Sequence, residues 1–146
     1  MIGVDTNILL PAVETTNPAH GRATTFLRSL ADQSEVAISE LVLIELYGLL
    51  RNPQVLGKPA TARQAATICQ RFRTHPRWHL LGLPPDGRAF HDDLWARLDD
   101  PKTPRRRVYD LRIGLSLVAQ GVTDFATVNL RDFDHLGFRK VWNPLA

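Results

Sequence analysis

The opening residues Met1-Ile2-Gly3-Val4-Asp5-Thr6-Asn7-Ile8-Leu9 decide how the rest of the chain is read. Met1 to Asp5 is a short apolar run closed by the turn-forming Asp5-Thr6-Asn7, which predicts a buried strand that ends at Asp5. Ile8-Leu9-Leu10 then begins a short helix or a packed turn. Val36-Ala37-Ile38, Trp78 to Leu83, Asp124 to Val128 and Phe138 to Trp142 are further short strands by the same reasoning. Between them the pattern is helical. Asn17-Pro18 reads as a helix start, with a capping Asn and Pro at the first helical position. Ser39 is placed to cap a helix carrying Leu41 through Leu50, and Thr61 to about Thr74 repeats Ala65, Ile68, Cys69 and Phe72 at helical spacing. Phe90, Leu94 and Leu98 mark a helix from Asp86 to about Asp99. After the breaker-rich Asp100-Pro-Lys-Thr-Pro104, Arg105 to Gln120 is helical, with Gly121 as its stop. Strands and helices thus alternate with no internal repeat, and this predicts an α/β fold, a parallel sheet covered by helices. In such sheets ligands sit outside the carboxyl ends of the strands, so chemistry is sought just after each strand.

The length of 146 residues suits one domain, 1–146, and a composition 44% hydrophobic and 23% charged supports an independent core. Net charge is only +3, but 15 of the 18 basic residues are Arg and 11 of the 15 acidic ones are Asp. Arginine's planar fork suits phosphate, so a nucleic-acid partner is compatible with this bias, as is an Arg-rich proteome. The lone Cys69 excludes an internal disulfide and any multi-cysteine zinc site, and it fits a reducing cytoplasm; its apolar surroundings favour a buried, inert thiol. No targeting segment is visible and no apolar run approaches the ~20 residues of a membrane span.

Four acidic positions fall where the fold predicts chemistry. Asp5 stands at the carboxyl end of the first strand, where an Asx turn is the competing reading. Glu45 lies within Leu41-Val42-Leu43-Ile44-Glu45-Leu46-Tyr47-Gly48-Leu49-Leu50, apolar nearly all round, which predicts a helix buried on most sides and a carboxylate in need of a partner or a metal. Asp110 follows Arg105-Arg106-Arg107-Val108-Tyr109 in the first turns of its helix, where the macrodipole alone favours an acid. Thr127-Val128-Asn129-Leu130-Arg131-Asp132-Phe133 offers hydroxyl, amide and carboxylate oxygens after another strand, although Asn129 and Asp132 also suit the cap and first turn of a short helix. Carboxylates gathered at one strand edge repel unless a cation neutralises them, and oxygen donors with few His point to Mg²⁺ or Mn²⁺ rather than zinc. His20, His75, His79, His91 and His135 show no metal-ligand spacing. There is no glycine-rich phosphate loop and no Ser or Cys nucleophile motif.

Four segments, Met-Ile-Gly-Val-Asp5-Thr6-Asn7-Ile-Leu, Ser39-Glu-Leu-Val-Leu-Ile-Glu45, Tyr109-Asp110-Leu-Arg112-Ile and Thr127-Val-Asn129-Leu-Arg-Asp132-Phe133, resemble in order and separation those of PIN-domain proteins. The size and the ending Gly137-Phe138 through Val141-Trp142-Asn143-Pro144 are similar to small bacterial toxins of the VapC type. The resemblance covers essentially the whole chain. It implies a PIN-like parallel sheet flanked by helices, an Mg²⁺- or Mn²⁺-dependent endoribonuclease in which metal-activated water attacks a phosphodiester, a cognate antitoxin, and a homodimer. It implies Asp5, Glu45 and Asp110 as site carboxylates, with Asp5 and Asp110 on the metal. Position 129 is Asn where many PIN domains place an acid, so either Asp132 supplies that charge or the site runs on three acids plus Asn129. Thr6, Asn7 and Thr127 would support the site. Arg112, the Arg105–Arg107 run, and Arg63, Arg71, Arg73 and Arg77 are candidates for RNA phosphates, with a solvated helix face as the alternative for each.

Two other readings compete. A haloacid dehalogenase-type phosphatase would use Asp5 as nucleophile, but it needs a second Asp two residues on, where this chain has Asn7. A catalytically weak PIN-like binding domain is the other, and Asn129 is its main argument.

Overall fold

The computed structural model describes all residues, 1–146. Five strands, β1 (Ile2–Val4), β2 (Val36–Ser39), β3 (His79–Leu81), β4 (Asp124–Ala126) and β5 (Lys140–Trp142), form one sheet in the order β3-β2-β1-β4-β5. Every pairing is parallel, with Ile2 opposite both Val36 and Asp124. Seven helices connect them: α1 (Thr6–Val13), α2 (His20–Leu30), α3 (Glu40–Leu50), α4 (Ala62–Arg73), α5 (Gly87–Leu98), α6 (Arg107–Ala119) and α7 (Leu130–Phe133). The chain winds from β1 outward through β2 to β3, then returns to the other side of β1. Right-handed crossovers therefore set α1–α4 on one face and α5–α7 on the opposite one. The winding reverses between β1 and β4, and there the carboxyl ends of the strands open a crevice.

A cluster of 25 buried hydrophobic residues holds the layers together, with Val4, Ile38, Phe125, Leu46 and Leu117 among the least exposed. β1 packs closely against its neighbours because Gly3 lacks a side chain; a Cβ there would lie 3.0 Å from Val122 and 3.1 Å from the Phe125 ring. Local signals set several helix ends. Ser39 accepts a hydrogen bond from the Leu41 amide, Asp86 from that of Ala89, and Thr61 and Gln64 form a reciprocal capping box. Gly121 ends α6 with φ +90°, a conformation that favours glycine.

Two expectations need correction. α2 begins at His20 rather than at Pro18. Asn17 closes a turn instead: its side chain accepts from the Ala19 amide and its carbonyl from that of His20. α3 is not buried on most sides. Val42, Leu43, Leu46 and Leu50 face the core, whereas Ile44 is 67% exposed and Tyr47 is also exposed. The nearly uniform apolar pattern therefore combines a core face with an apolar outer face. No helix is long and apolar enough to cross a membrane.

Candidate active site

Asp5 leaves β1 at the reversal of winding and becomes the N-cap of α1, so the same backbone that ends the strand aims its carboxylate. One oxygen, Oδ1, accepts from the amide of the next residue, Thr6, at 2.8 Å, a capping contact and not the two-residue reach of an Asx turn. The other, Oδ2, accepts from the Thr127 hydroxyl at 2.6 Å, across 122 residues of sequence. Thr127 follows β4 and is buried. Its Oγ1 in turn accepts from Asn7 Nδ2 at 3.2 Å and from the Asn129 amide at 3.0 Å, while Asn7 Oδ1 accepts from the Val128 amide at 3.1 Å. Asn7 thus pins the turn after β4 to the start of α1. Thr6 reaches the other way, donating to the Val42 carbonyl at 3.4 Å and tying α1 to α3.

With only 4% of its surface exposed, Asp5 pays for its position in solvation: burial pushes its pKa up to about 7, against the two hydrogen bonds that lower it, and Glu45 and Asp110 raise it further. Asp110, in the first turn of α6 and half-buried, is raised to about 6 by burial, then by Asp132 and Glu45, with Arg107 and Arg106 opposing. The four acids named from the sequence therefore come from four separate segments and act on one another through space. None of the protein's five ion pairs involves Asp5, Glu45 or Asp110. Asp132 differs, since Arg107 stands 3.7 Å from its carboxylate.

Between α3 and α6 lies a cleft of about 710 Å³, bordered by Glu45 and Asp110 together with Leu41, Ile44, Tyr109, Arg106, Arg112 and Asn129. Asn129 lines it and Asp132 does not. Arg112 is fixed from α5: His91 Nδ1 donates to the Gly87 carbonyl, which leaves Nε2 to accept from Arg112 Nε at 3.3 Å. Arg107 is committed elsewhere, to the Asp132 carbonyl and to His135, so only Arg105 and Arg106 of the basic run project freely into solvent. Of the middle-helix arginines, Arg73 is paired with Glu40. Cys69 is half-buried, donates to the Leu43 carbonyl, and has its pKa raised by burial, as an inert thiol should.

The donor set suits a hard divalent cation: carboxylate oxygens in excess, with Asp5 and Asp110 raised in pKa by burial and then by the charges of neighbouring acids. No three His, Cys, Asp or Glu side chains form a ready-made metal cage, and of the four acids Glu45 and Asp110 line the cleft. The phosphatase reading fails at Asn7, whose amide is used up in bracing Thr127 and Val128 and cannot serve as acid or base. On the cleft's other border the sequence singled out Arg106, within the basic run, but neither Ile44 nor Tyr109. The uninterrupted apolar outer face of α3 was the available signal for Ile44; for Tyr109 it was an aromatic set directly before a site acid.

No family model matches the chain. It is 43% identical over 145 residues, 99% of its length and 97% of the relative's, to Ribonuclease VapC24 of Mycobacterium tuberculosis, in both strain CDC 1551 / Oshkosh and strain ATCC 25618 / H37Rv. Among solved structures it superposes on VapBC2 from Rickettsia felis bound to a promoter DNA fragment, with a TM-score of 0.66 and 21% identity over 98% of each chain. It also superposes on VapC20 of Mycobacterium tuberculosis, a sarcin-ricin loop cleaving toxin, with a TM-score of 0.64 and 18% identity over 94% of this chain and 96% of that one. FitAB bound to the IR36 DNA fragment gives 0.62 at 17% identity, covering 100% and 96%. These three likenesses concern the fold.

Proposed function

The chain belongs to the VapC family of PIN-domain ribonuclease toxins, and from that premise we propose that Asp5, Glu45 and Asp110 form the metal-holding centre of an endoribonuclease. Family membership carries a dependence on metal in general; Mg²⁺, with Mn²⁺ as substitute, is the ion that this donor chemistry favours. When bound, such an ion supplies charge neutralisation at the phosphate and a water activated at neutral pH. Asp5 and Asp110 would hold it, with Glu45 completing the charge and Asn129 offering an amide oxygen on the cleft wall.

The chain's own residues prepare that centre. Thr127 and the Thr6 amide fix both oxygens of Asp5, so the carboxylate reaches its working orientation without a search through rotamers. Asn7 and Thr6 hold the two flanking segments to it. Arg107 turns the Asp132 segment toward α6, and the Asp132 charge acts on Asp110 from outside the cleft, a supporting role. Arg112, held by His91, and Arg106 present guanidinium groups to an incoming phosphodiester.

One observation carries this reading: Asp5, Glu45 and Asp110 come from three segments and enter no ion pair, and the charges of neighbouring acids, added to burial, raise the pKa values of Asp5 and Asp110. The partners that go with it are an RNA substrate, a cognate antitoxin and a second copy of the chain, for which the exposed Ile44 and Tyr47 on α3 offer apolar surface. RNA cleavage by the purified protein with Mg²⁺ or Mn²⁺ tests the site: wild type cuts, whereas Asp5→Ala and Asp110→Ala do not. Equal cleavage by all three would discard the assignment.

A further inference from the structure

Tyr109 stands in α6 directly before Asp110 and lines the same cleft, yet none of the carboxylate chemistry uses it. The residue is 61% exposed. Its ring pairs with no other aromatic and no cation of the chain. Tyr109 is not an isolated exposed side chain: Ile44, also exposed, borders the same cleft, so apolar surface is grouped there. Positions three apart share a helix face, so Arg106, Tyr109 and Arg112 form a stripe along the cleft, and all three border it. Arg106 enters no ion pair, and Arg112 commits its Nε to His91 while its outer nitrogens make no hydrogen bond or ion pair within the chain.

A flat apolar ring between two guanidinium groups, one residue from a site carboxylate, has the chemistry that recognises an unpaired nucleotide. The ring takes the base by its face, and the cations take the phosphates on either side. A base inside an A-form duplex is stacked on its neighbours and offers no free face. The cleft, at about 710 Å³, is on the scale of a small ligand and not of a duplex.

We propose that Tyr109 stacks on the base adjoining the scissile phosphate while Arg106 and Arg112 hold the flanking phosphates, so that the enzyme selects an unpaired nucleotide at that position. This rests on the assignment of Asp5, Glu45 and Asp110 as the cleavage centre. Stacking of this kind tolerates any base, so Tyr109 selects for an accessible base and leaves base identity to other contacts.

The test uses a synthetic RNA oligonucleotide that the wild type cleaves, together with copies carrying an abasic nucleotide on one or the other side of the cut. Tyr109→Ala is expected to raise KM on the intact oligonucleotide roughly tenfold with kcat nearly unchanged, and Tyr109→Phe, which keeps the ring, to behave as wild type. The abasic copy on the stacking side should raise KM for wild type and have no further effect on Tyr109→Ala. An unchanged KM in Tyr109→Ala, or the same abasic penalty in both proteins, overturns the proposal. So does a Tyr109→Ala variant that keeps its RNA kinetics but loses grip on a protein partner, which would give this face to that partner. Binding of the same oligonucleotides to Asp5→Asn protein reads stacking without cleavage. If wild type cuts no RNA but the Tyr109 penalty on binding persists, the cleavage centre is misassigned and the stacking role stands.

Discussion

The carboxyl end of β1 and the facing surfaces of α3 and α6 carry the acids proposed for the metal centre, yet they are built in opposite ways. Asp5 is buried and both of its oxygens are occupied by intrachain donors. Glu45 and Asp110 are only partly buried and border an open cleft whose walls include the exposed Ile44 and Tyr109. The first arrangement sets geometry in advance and bears a desolvation cost to do so. The second leaves charge and apolar surface uncompensated until something outside the fold arrives. The proposed cleavage centre thus combines one rigid acid with two accessible ones.

The sharpest way to break this contrast is Asp5→Asn. It keeps the shape and the Thr6 contact but removes the charge, so cleavage should fall by more than about 100-fold, beyond the usual loss for a residue that only supports a metal ligand. Thermal unfolding without metal at pH 7.5 should be unchanged or improved, because a desolvated charge has gone. A variant that unfolds would mean that Asp5 acts as a structural turn. Thr127→Val comes next. It keeps the volume, strips the hydroxyl from Asp5, and leaves Asn7 and the Asn129 amide without their acceptor. Cleavage should drop roughly 10- to 100-fold, with a stability loss of about 1–3 kcal/mol from the stranded groups. Full activity in this variant would show that Asp5 needs no bracing.

The pH dependence of stability follows from the raised acids. Asp5 at about 7 and Asp110 at about 6 bind protons in the folded, metal-free protein that the unfolded chain, with ordinary values of 3.8, has already released. Between about pH 4 and 7 the folded state therefore holds more protons, and stability falls as pH rises through that window. In the presence of EDTA, the thermal midpoint should decline from pH 5 to pH 7.5 more steeply for wild type than for Asp5→Asn/Asp110→Asn. Mg²⁺ should restore the wild type at pH 7.5 and leave the double variant unmoved. Parallel declines would remove these two acids from the account. The smallest effect on stability belongs to the open side: Ile44→Asp should shift unfolding by no more than about 0.5 kcal/mol while converting the proposed dimer to monomer in sedimentation. Persistence of the dimer would place the interface elsewhere.

What the sequence discloses follows the same division. Asp5, Ser39 and Thr61 act within a few residues of themselves, so their turn and cap roles can be read from local chemistry. At Asn17-Pro18 local signals mislead, because a cap motif and the tight turn that precedes a helix use the same residues. The α3 pattern states that its residues are apolar but cannot state which ones find partners, and half of that face finds none inside this chain. The capture of Arg107 by the Asp132 carbonyl and His135 spans 25 and 28 residues and depends on the fold of α7 against α6. Strand-end positions and the resemblance to a known family named Asp5, Glu45 and Asp110, and left the fourth donor open between Asp132 and Asn129. That Asn129 rather than Asp132 borders the cleft depends on how the short helix α7 turns, and no spacing rule gives that.

The bond from Thr127 to Asp5 joins residues 122 positions apart. Synthesis is vectorial, so the first acid emerges early while the hydroxyl that orients it appears only when β4 has been made, along with the strand that completes the crevice. An unfinished chain on the ribosome, itself an assembly of RNA, therefore carries an unassembled centre. The orientation of the first acid thus depends on a segment made more than a hundred residues after it.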